Sequence, residues 1–147
     1  MSIDKSNYKD YVENKTPKSP IIRDCVFAFL VGGFICVIGL FVKNLSIYLG
    51  AGLDDTKIIV PVVLIFIAGL LTAFGIYDKI GKFAGAGSII PITGFANSIV
   101  STAMEFKKEG WILGLGAKIF TIAGPVIVYG TVASVIYGII YWITTLF

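Results

Sequence analysis

Twenty consecutive residues from Ile58 to Tyr77 carry no charge, and an uncharged run of eighteen extends from Cys25 to Val42. A run of that length and character is stable in lipid as a helix, the one open structure that pairs every backbone N–H and C=O internally. The C-terminal stretch is longer still, since Lys118 is its one charge between Trp111 and Phe147. As a single helix it would measure about 55 Å, well beyond a hydrocarbon core of about 30 Å. A break is therefore expected at Gly124-Pro125, because proline removes a backbone donor and clashes with the preceding turn. These runs predict an all-α integral membrane protein with about four membrane-embedded helical segments. The expected spans are 25–42 and 58–77, a broken polar segment over 83–109, a shorter helix over 111–123 and a full span over 126–147.

Composition agrees. Of the 147 residues 56% are hydrophobic and 14% charged, the latter about half the share of a soluble domain; mean hydropathy is +0.90. The length suits one membrane domain, residues 24–147, behind a polar arm over 1–23. A net charge of +3, with lysines scattered singly or in pairs, gives no nucleic-acid-binding patch. Cys25 and Cys36 lie eleven positions apart on one apolar helix, about 16 Å along its axis and too far for a bridge within the chain.

In the arm, Tyr8, Tyr11 and Val12 are spaced for one face of a short amphipathic helix, and Pro17 and Pro20 then break the chain. No signal peptide is expected, because the first 24 residues are charged on nearly every turn and no small-residue cleavage site follows a short apolar core. Lys5, Lys9, Lys15, Lys18 and Arg23 place the arm in the cytoplasm by the positive-inside rule. The Lys43–Lys57 segment is then an outside loop, and Asp78–Lys82 a tight inside turn. If 83–109 dips in and returns, nine basic residues are inside against two outside; if it crosses, seven against four.

The segment from Lys82 to Gly110 is the anomaly. It has no charge from Phe83 to Met104, yet it holds Gly85, Gly87, Ser88 and Pro91, which cannot belong to one uninterrupted helix. Pro91 suits the start of a helix and Gly110 its end, with Lys107 and Lys108 where the dipole favours cations. On a wheel of about 100° per residue, Thr93, Asn97, Ser98, Ser101, Thr102 and Glu105 share one half, and Ile92, Phe95, Ala96, Ile99, Val100, Ala103 and Phe106 the other. Neutral hydroxyls and an amide in such a half suit the lining of a pore or water-filled cavity, with the loop of Gly85, Gly87 and Ser88 near its mouth, where glycine backbone N–H groups offer further donors to a solute. The same half equally suits an interfacial helix, or a buried helix bonded to its neighbours.

Elsewhere Gly32 and Gly33 on the first span, and Gly130, Ser134 and Gly138 on the last, form small-residue stripes where helix backbones approach closely. The chain has no histidine and no cysteine cluster, so no metal or other cofactor is expected. No pair of carboxylates lies in an apolar segment, and nothing argues for an enzyme. Glu105 and Lys118 are the charges nearest the apolar segments. A stem that snorkels to the interface explains Lys118, and the alternative is a fixed positive charge on an anion path. Glu105 ends the polar stripe at the membrane edge.

Three passages in order, YKDYVENKTPKSP, AFLVGGFICVIG and YDKIGKFAGAGSIIPITGFANSIVSTAMEFKKEG, resemble the stage V sporulation protein AC family of spore-forming Firmicutes, over essentially the whole chain. Part of the last passage is also similar to the shorter AE paralogue, which lacks the proline-containing arm. Leu40 departs from the pattern, standing where a glutamine is expected after Ile38-Gly39, so no polar role is carried onto it. The resemblance implies transport of dipicolinic acid, as its calcium chelate, across the forespore and spore inner membrane, inward during sporulation and outward during germination. It also implies channel-like behaviour together with a soluble dipicolinate-binding partner, AD, and with AE. Three or four spans scarcely enclose a channel alone, so a homo- or hetero-oligomer is expected. A non-conducting membrane scaffold that assembles other transport components is the competing expectation.

Overall fold

A computed structural model describes Tyr8, Val12 and residues 20–146. Tyr8 and Val12 are helical and exposed; Tyr11, the basic residues Lys5 to Lys18 and the break around Pro17 lie outside the described residues. The described chain is helical and has no strand: α1 (Ile21–Tyr48), α2 (Leu53–Ala73), α3 (Tyr77–Ala84), α4 (Ala86–Ile89), α5 (Ile92–Phe106), a 3₁₀ turn (Lys107–Glu109), a π-helical turn (Trp111–Gly116) and α6 (Ala117–Leu146). By length and composition three stretches can cross a membrane: α1, α2, and the continuous Trp111–Leu146.

The expected Lys43–Lys57 loop shrinks to Leu49–Gly52, because both helices run into it. Helix α1 stops by the glycine-dependent double bond of a Schellman cap. Gly50 N–H donates to Ile47 O at 2.9 Å and Ala51 N–H to Ser46 O at 3.0 Å, which requires the left-handed Gly50, φ +94°. Helix α2 then starts five residues ahead of the uncharged run. Asp54 and Asp55 occupy its first turn, and Asp55 Oδ2 accepts from Gly52 N–H at 3.1 Å, where acids favour a helix. Pro61, which the expected start at Ile58 would put in the first turn, is consequently interior to α2.

Helix α2 ends at Ala73, before the expected Tyr77, in a second cap of the same kind. Gly75 N–H donates to Thr72 O and Ile76 N–H to Leu71 O, at 2.9 and 2.8 Å, with Gly75 at φ +66°. The freed residues begin α3, so Asp78–Lys82 is helix, not a tight turn. The polar segment breaks twice. Gly85, at φ +49°, ends α3, and extended Pro91 precedes α5.

Helices α1 and α2 form an antiparallel hairpin, with Gly39 admitting Val60 and Leu64 to 3.6 Å of where a Cβ would stand. Helices α3 and α4 cross the first half of α1, and α5 packs most extensively on α2. Thr72 meets Asn97 and Gly69 meets Val100, so numbering falls along α2 as it rises along α5. Helix α5 is antiparallel to α2 and about 22 Å long; it carries Lys107 and Lys108 away from Lys79 and Lys82. The interior is thin. Ala68, Tyr77 and Ala96 form its buried cluster, with Leu71 against it, while Phe29, Phe34, Phe66 and many other large apolar side chains are exposed, as lipid contact requires.

No break occurs at Gly124-Pro125; α6 passes through Pro125 as one helix. The bond that proline removes would have ended on the carbonyl of Thr121. Thr121 Oγ1 donates to Ala117 O at 2.8 Å one turn earlier, so the hydroxyl bonds within the helix while the carbonyl of its own residue is the one that loses its donor. The one irregularity sits earlier, in the π turn, where Leu115 N–H donates to Gly110 O at 2.9 Å and Gly114 presses on Phe106 and Glu109. From Pro125 to Leu146 every residue is exposed.

Candidate functional site

Three short elements meet at one polar cleft of about 340 Å³. Helix α3 supplies Tyr77, Asp78, Gly81 and Lys82, α4 supplies Ser88 and Ile89, and the first turns of α5 supply Gly94 and Asn97. Its scaffold is fixed by buried polar contacts. Tyr77 Oη donates to Ser88 O at 2.8 Å, tying α3 to α4, and Ser88 Oγ donates to Gly85 O at 3.0 Å across the glycine break. Gly94 has no room for a side chain, since a Cβ there would come within 2.7 Å of the Ile89 carbonyl carbon. That contact lets α5 begin directly on the α4 backbone.

Asn97 is tied on one side and open on the other. Thr72 Oγ1 shares its proton between Asn97 Oδ1 at 2.8 Å and Ala68 O at 2.7 Å. The two donors of Asn97 Nδ2 have no partner among the described residues, and Asn97 lines the cleft. A neutral amide held by its oxygen thus has two N–H groups free for a hydrogen-bond acceptor.

The other sequence-derived residues are dispersed. Gly85 lines a neighbouring cleft of about 430 Å³ with Ile21, Asp24, Cys25, Ala28 and Lys82 among its walls. Gly87 faces α1, where Ala28 leaves no space for a Cβ. Gly32, one turn further along α1, also meets Gly87, whereas a Cβ at Gly33, Gly130 or Gly138 would have nothing within 4 Å among the described residues. Ser134 Oγ donates to Gly130 O at 2.8 Å in an exposed turn. Ser98 and Ser101 donate to their own helix, at Phe95 O and Ser98 O, and with half-buried Thr102 they line neither cleft. Glu105 is exposed, and Lys118 Nζ lies 4.6 Å from the centroid of the Phe106 ring.

Thr93 is placed quite differently from Asn97. It is 5% exposed, lines an apolar cavity of about 100 Å³ among α1, α2 and α3, and its Oγ1 has no hydrogen-bond partner among the described residues. An unpaired buried hydroxyl costs about 1–3 kcal/mol. Thr93→Val, of nearly the same shape, should therefore raise thermal stability by on the order of 1 kcal/mol. A fall in melting temperature would mean that the hydroxyl is satisfied in the folded protein.

Tyr77, Asp78, Lys82, Gly94 and Thr72 were not singled out from the sequence. For Tyr77, Asp78 and Lys82 a signal was present, as Tyr77–Gly81 and Asp78–Lys82, each at the i, i+4 spacing of a helix face; Gly94 and Thr72 had no such signal.

A profile of the SpoVAC/SpoVAEB sporulation membrane proteins matches residues 24–140. Stage V sporulation protein AC of Bacillus subtilis (strain 168) is 50% identical over 137 residues, covering 92% of this chain and 91% of the relative. No solved structure matches. The matched region takes in α3, α4 and α5 and hence all the residues of the cleft, and the chain belongs to the SpoVAC/SpoVAEB family of sporulation membrane proteins.

Proposed function

We propose that this chain is a pore-forming subunit that moves dipicolinic acid, free or as its calcium chelate, across the spore inner membrane, inward in sporulation and outward in germination. The observation that carries the proposal is the cleft at the head of α5, where the free Asn97 amide donors and Lys82 line one cavity. A small dianion needs donors that outnumber the carboxylates, here Lys82 and the Asn97 amide against the single Asp78, and exit demands that no single contact be too strong. The arm is on the cytoplasmic (spore core) side, and the AD and AE proteins are the expected companions. The decisive experiment is dipicolinate release from liposomes holding the purified protein, alone and with those companions; release no faster than from protein-free lipid would end the transport proposal.

One observation favours the scaffold alternative: Asn97 is bonded to α2, and Ser98 and Ser101 to their own helix. Polar groups used in that way hold helices together without conducting anything. The same release assay separates the two.

Either role needs assembly, and the uncovered half of α6 is where we place it, through Gly130, Ser134 and Gly138. Because a Cβ at Gly130 or Gly138 would have nothing within 4 Å among the described residues, leucine at either should leave the isolated chain as heat-resistant as before. Cross-linked oligomers in membranes should become weaker by about 1–3 kcal/mol, the range for overpacking a close contact. Unchanged cross-linking in both variants would assign the stripe to lipid.

A further inference from the structure

Two charged groups stand at the cleft. Asp78 and Lys82 are one turn apart on α3, the spacing at which a helix forms surface ion pairs. Neither is paired among the described residues, where the one ion pair is Lys57–Asp54. Lys82 is exposed, and it lines both the 340 Å³ cleft and the 430 Å³ cleft on the other side of α3. Lys79, also exposed on the same helix, lines neither. In the larger cleft the acidic neighbour is Asp24, in the first turn of α1.

We infer that Lys82 is the charge-selecting residue of the cleft, the group that makes it receive small carboxylate anions; this rests on the transport role proposed above. The ammonium stands on the α3 wall and the Asn97 amide on the α5 wall, so one rigid anion with two acceptor groups is met from both sides. A carboxylate arriving at Lys82 gains a charge-assisted hydrogen bond, roughly twice as strong as a neutral one. Asp78, one turn away, offsets that attraction. The two groups leave the cleft without net charge, so an anion is recognised at the ammonium but not trapped, as conduction demands. Asp78 thereby tunes how readily the anion leaves.

The test uses the full chain in liposomes, alone and with the AD and AE companions, and in detergent, with dipicolinate as the probe. Lys82→Gln should lower dipicolinate flux about tenfold, equivalent to 1.4 kcal/mol, and move the reversal potential in a salt gradient toward that of an unselective path. Lys82→Arg should restore selectivity, because it keeps both the charge and the favourable interaction with the C-terminal end of α3. Lys79→Gln should behave as the parent. Asp78→Asn should strengthen anion preference. In detergent, dipicolinate should raise the melting temperature of the parent and of Lys82→Arg, but not of Lys82→Gln.

The outcomes are separable. Flux and selectivity that are indifferent to Lys82 in a conducting parent remove this assignment and leave transport standing. Stabilisation by dipicolinate that depends on Lys82, in a parent that passes none, keeps the cleft assignment and removes transport. A parent neither stabilised nor conducting removes both.

Discussion

Gly87→Ala is expected to destabilise the protein by about 3 kcal/mol, at or above the upper end of what a one-methyl overpacking costs. A Cβ at Gly87 would stand 2.7 Å from Ala28 Cα and 2.8 Å from its carbonyl carbon. These are backbone atoms of α1, two turns in from its start, and cannot swing aside as a side-chain tip can. The α4 segment must instead retreat from α1, and it has only four residues with which to absorb the shift. Ser88 would move with it. Its carbonyl accepts from Tyr77 Oη and its hydroxyl donates to Gly85 O, so the cleft should lose its wall although no polar group has been removed. Gly32→Ala provides the calibration. A Cβ there would sit 3.4 Å from Gly87 O, tight but adjustable, and should cost well under half as much. Thermal unfolding of the two variants in the same detergent measures the contrast; equal melting temperatures would mean that α4 does not lie on α1.

Gly87 also marks where sequence reasoning stopped. Its position in a glycine-rich polar segment suited both a backbone donor at a pore mouth and a close helix contact, and only the partner across the gap distinguishes these. That partner, Ala28, is 59 residues away in the chain. Local signals were more legible. Pro91 and Gly110 bound the α5 region because a fixed φ and a left-handed φ act on the chain at the residue itself. Gly50 and Gly75 carried the same kind of information, yet the uncharged run up to Tyr77 outweighed the cap that ends α2 at Ala73. At Pro125 the opposite happened. A breaker signal was overridden because lipid gives a chain no better option than to stay helical. The cleft itself was the least visible feature. Helix α3 is eight residues long and contains Gly81, too short for apolar periodicity to reveal it, and the cleft needs that helix to bring Lys82 and Asp78 beside Asn97.

Asn97→Leu should reduce dipicolinate flux by about tenfold to a hundredfold while the protein still folds and inserts. The estimate follows from losing hydrogen bonds to a charged carboxylate, about 1.5–3 kcal/mol in total. Folding should survive because Thr72 is not stranded; with Asn97 Oδ1 gone, its hydroxyl still donates to Ala68 O at 2.7 Å. Thr72→Val isolates the tether from the donors. It frees Asn97 Oδ1 but leaves the amide at the cleft, so flux should fall by much less than in Asn97→Leu. Asn97→Asp keeps the acceptor for Thr72 and replaces two donors by a charge, which should slow a dianion through repulsion in a poorly screened passage. Ile99→Leu, an apolar exchange on the opposite half of α5, should change little. Release from liposomes with matched protein content reads all four variants. Parental flux in Asn97→Leu would place the solute path elsewhere. Loss of assembly in that variant, before any flux can be recorded, would give the 2.8 Å contact between Asn97 and Thr72 the whole of its significance in packing and favour the scaffold.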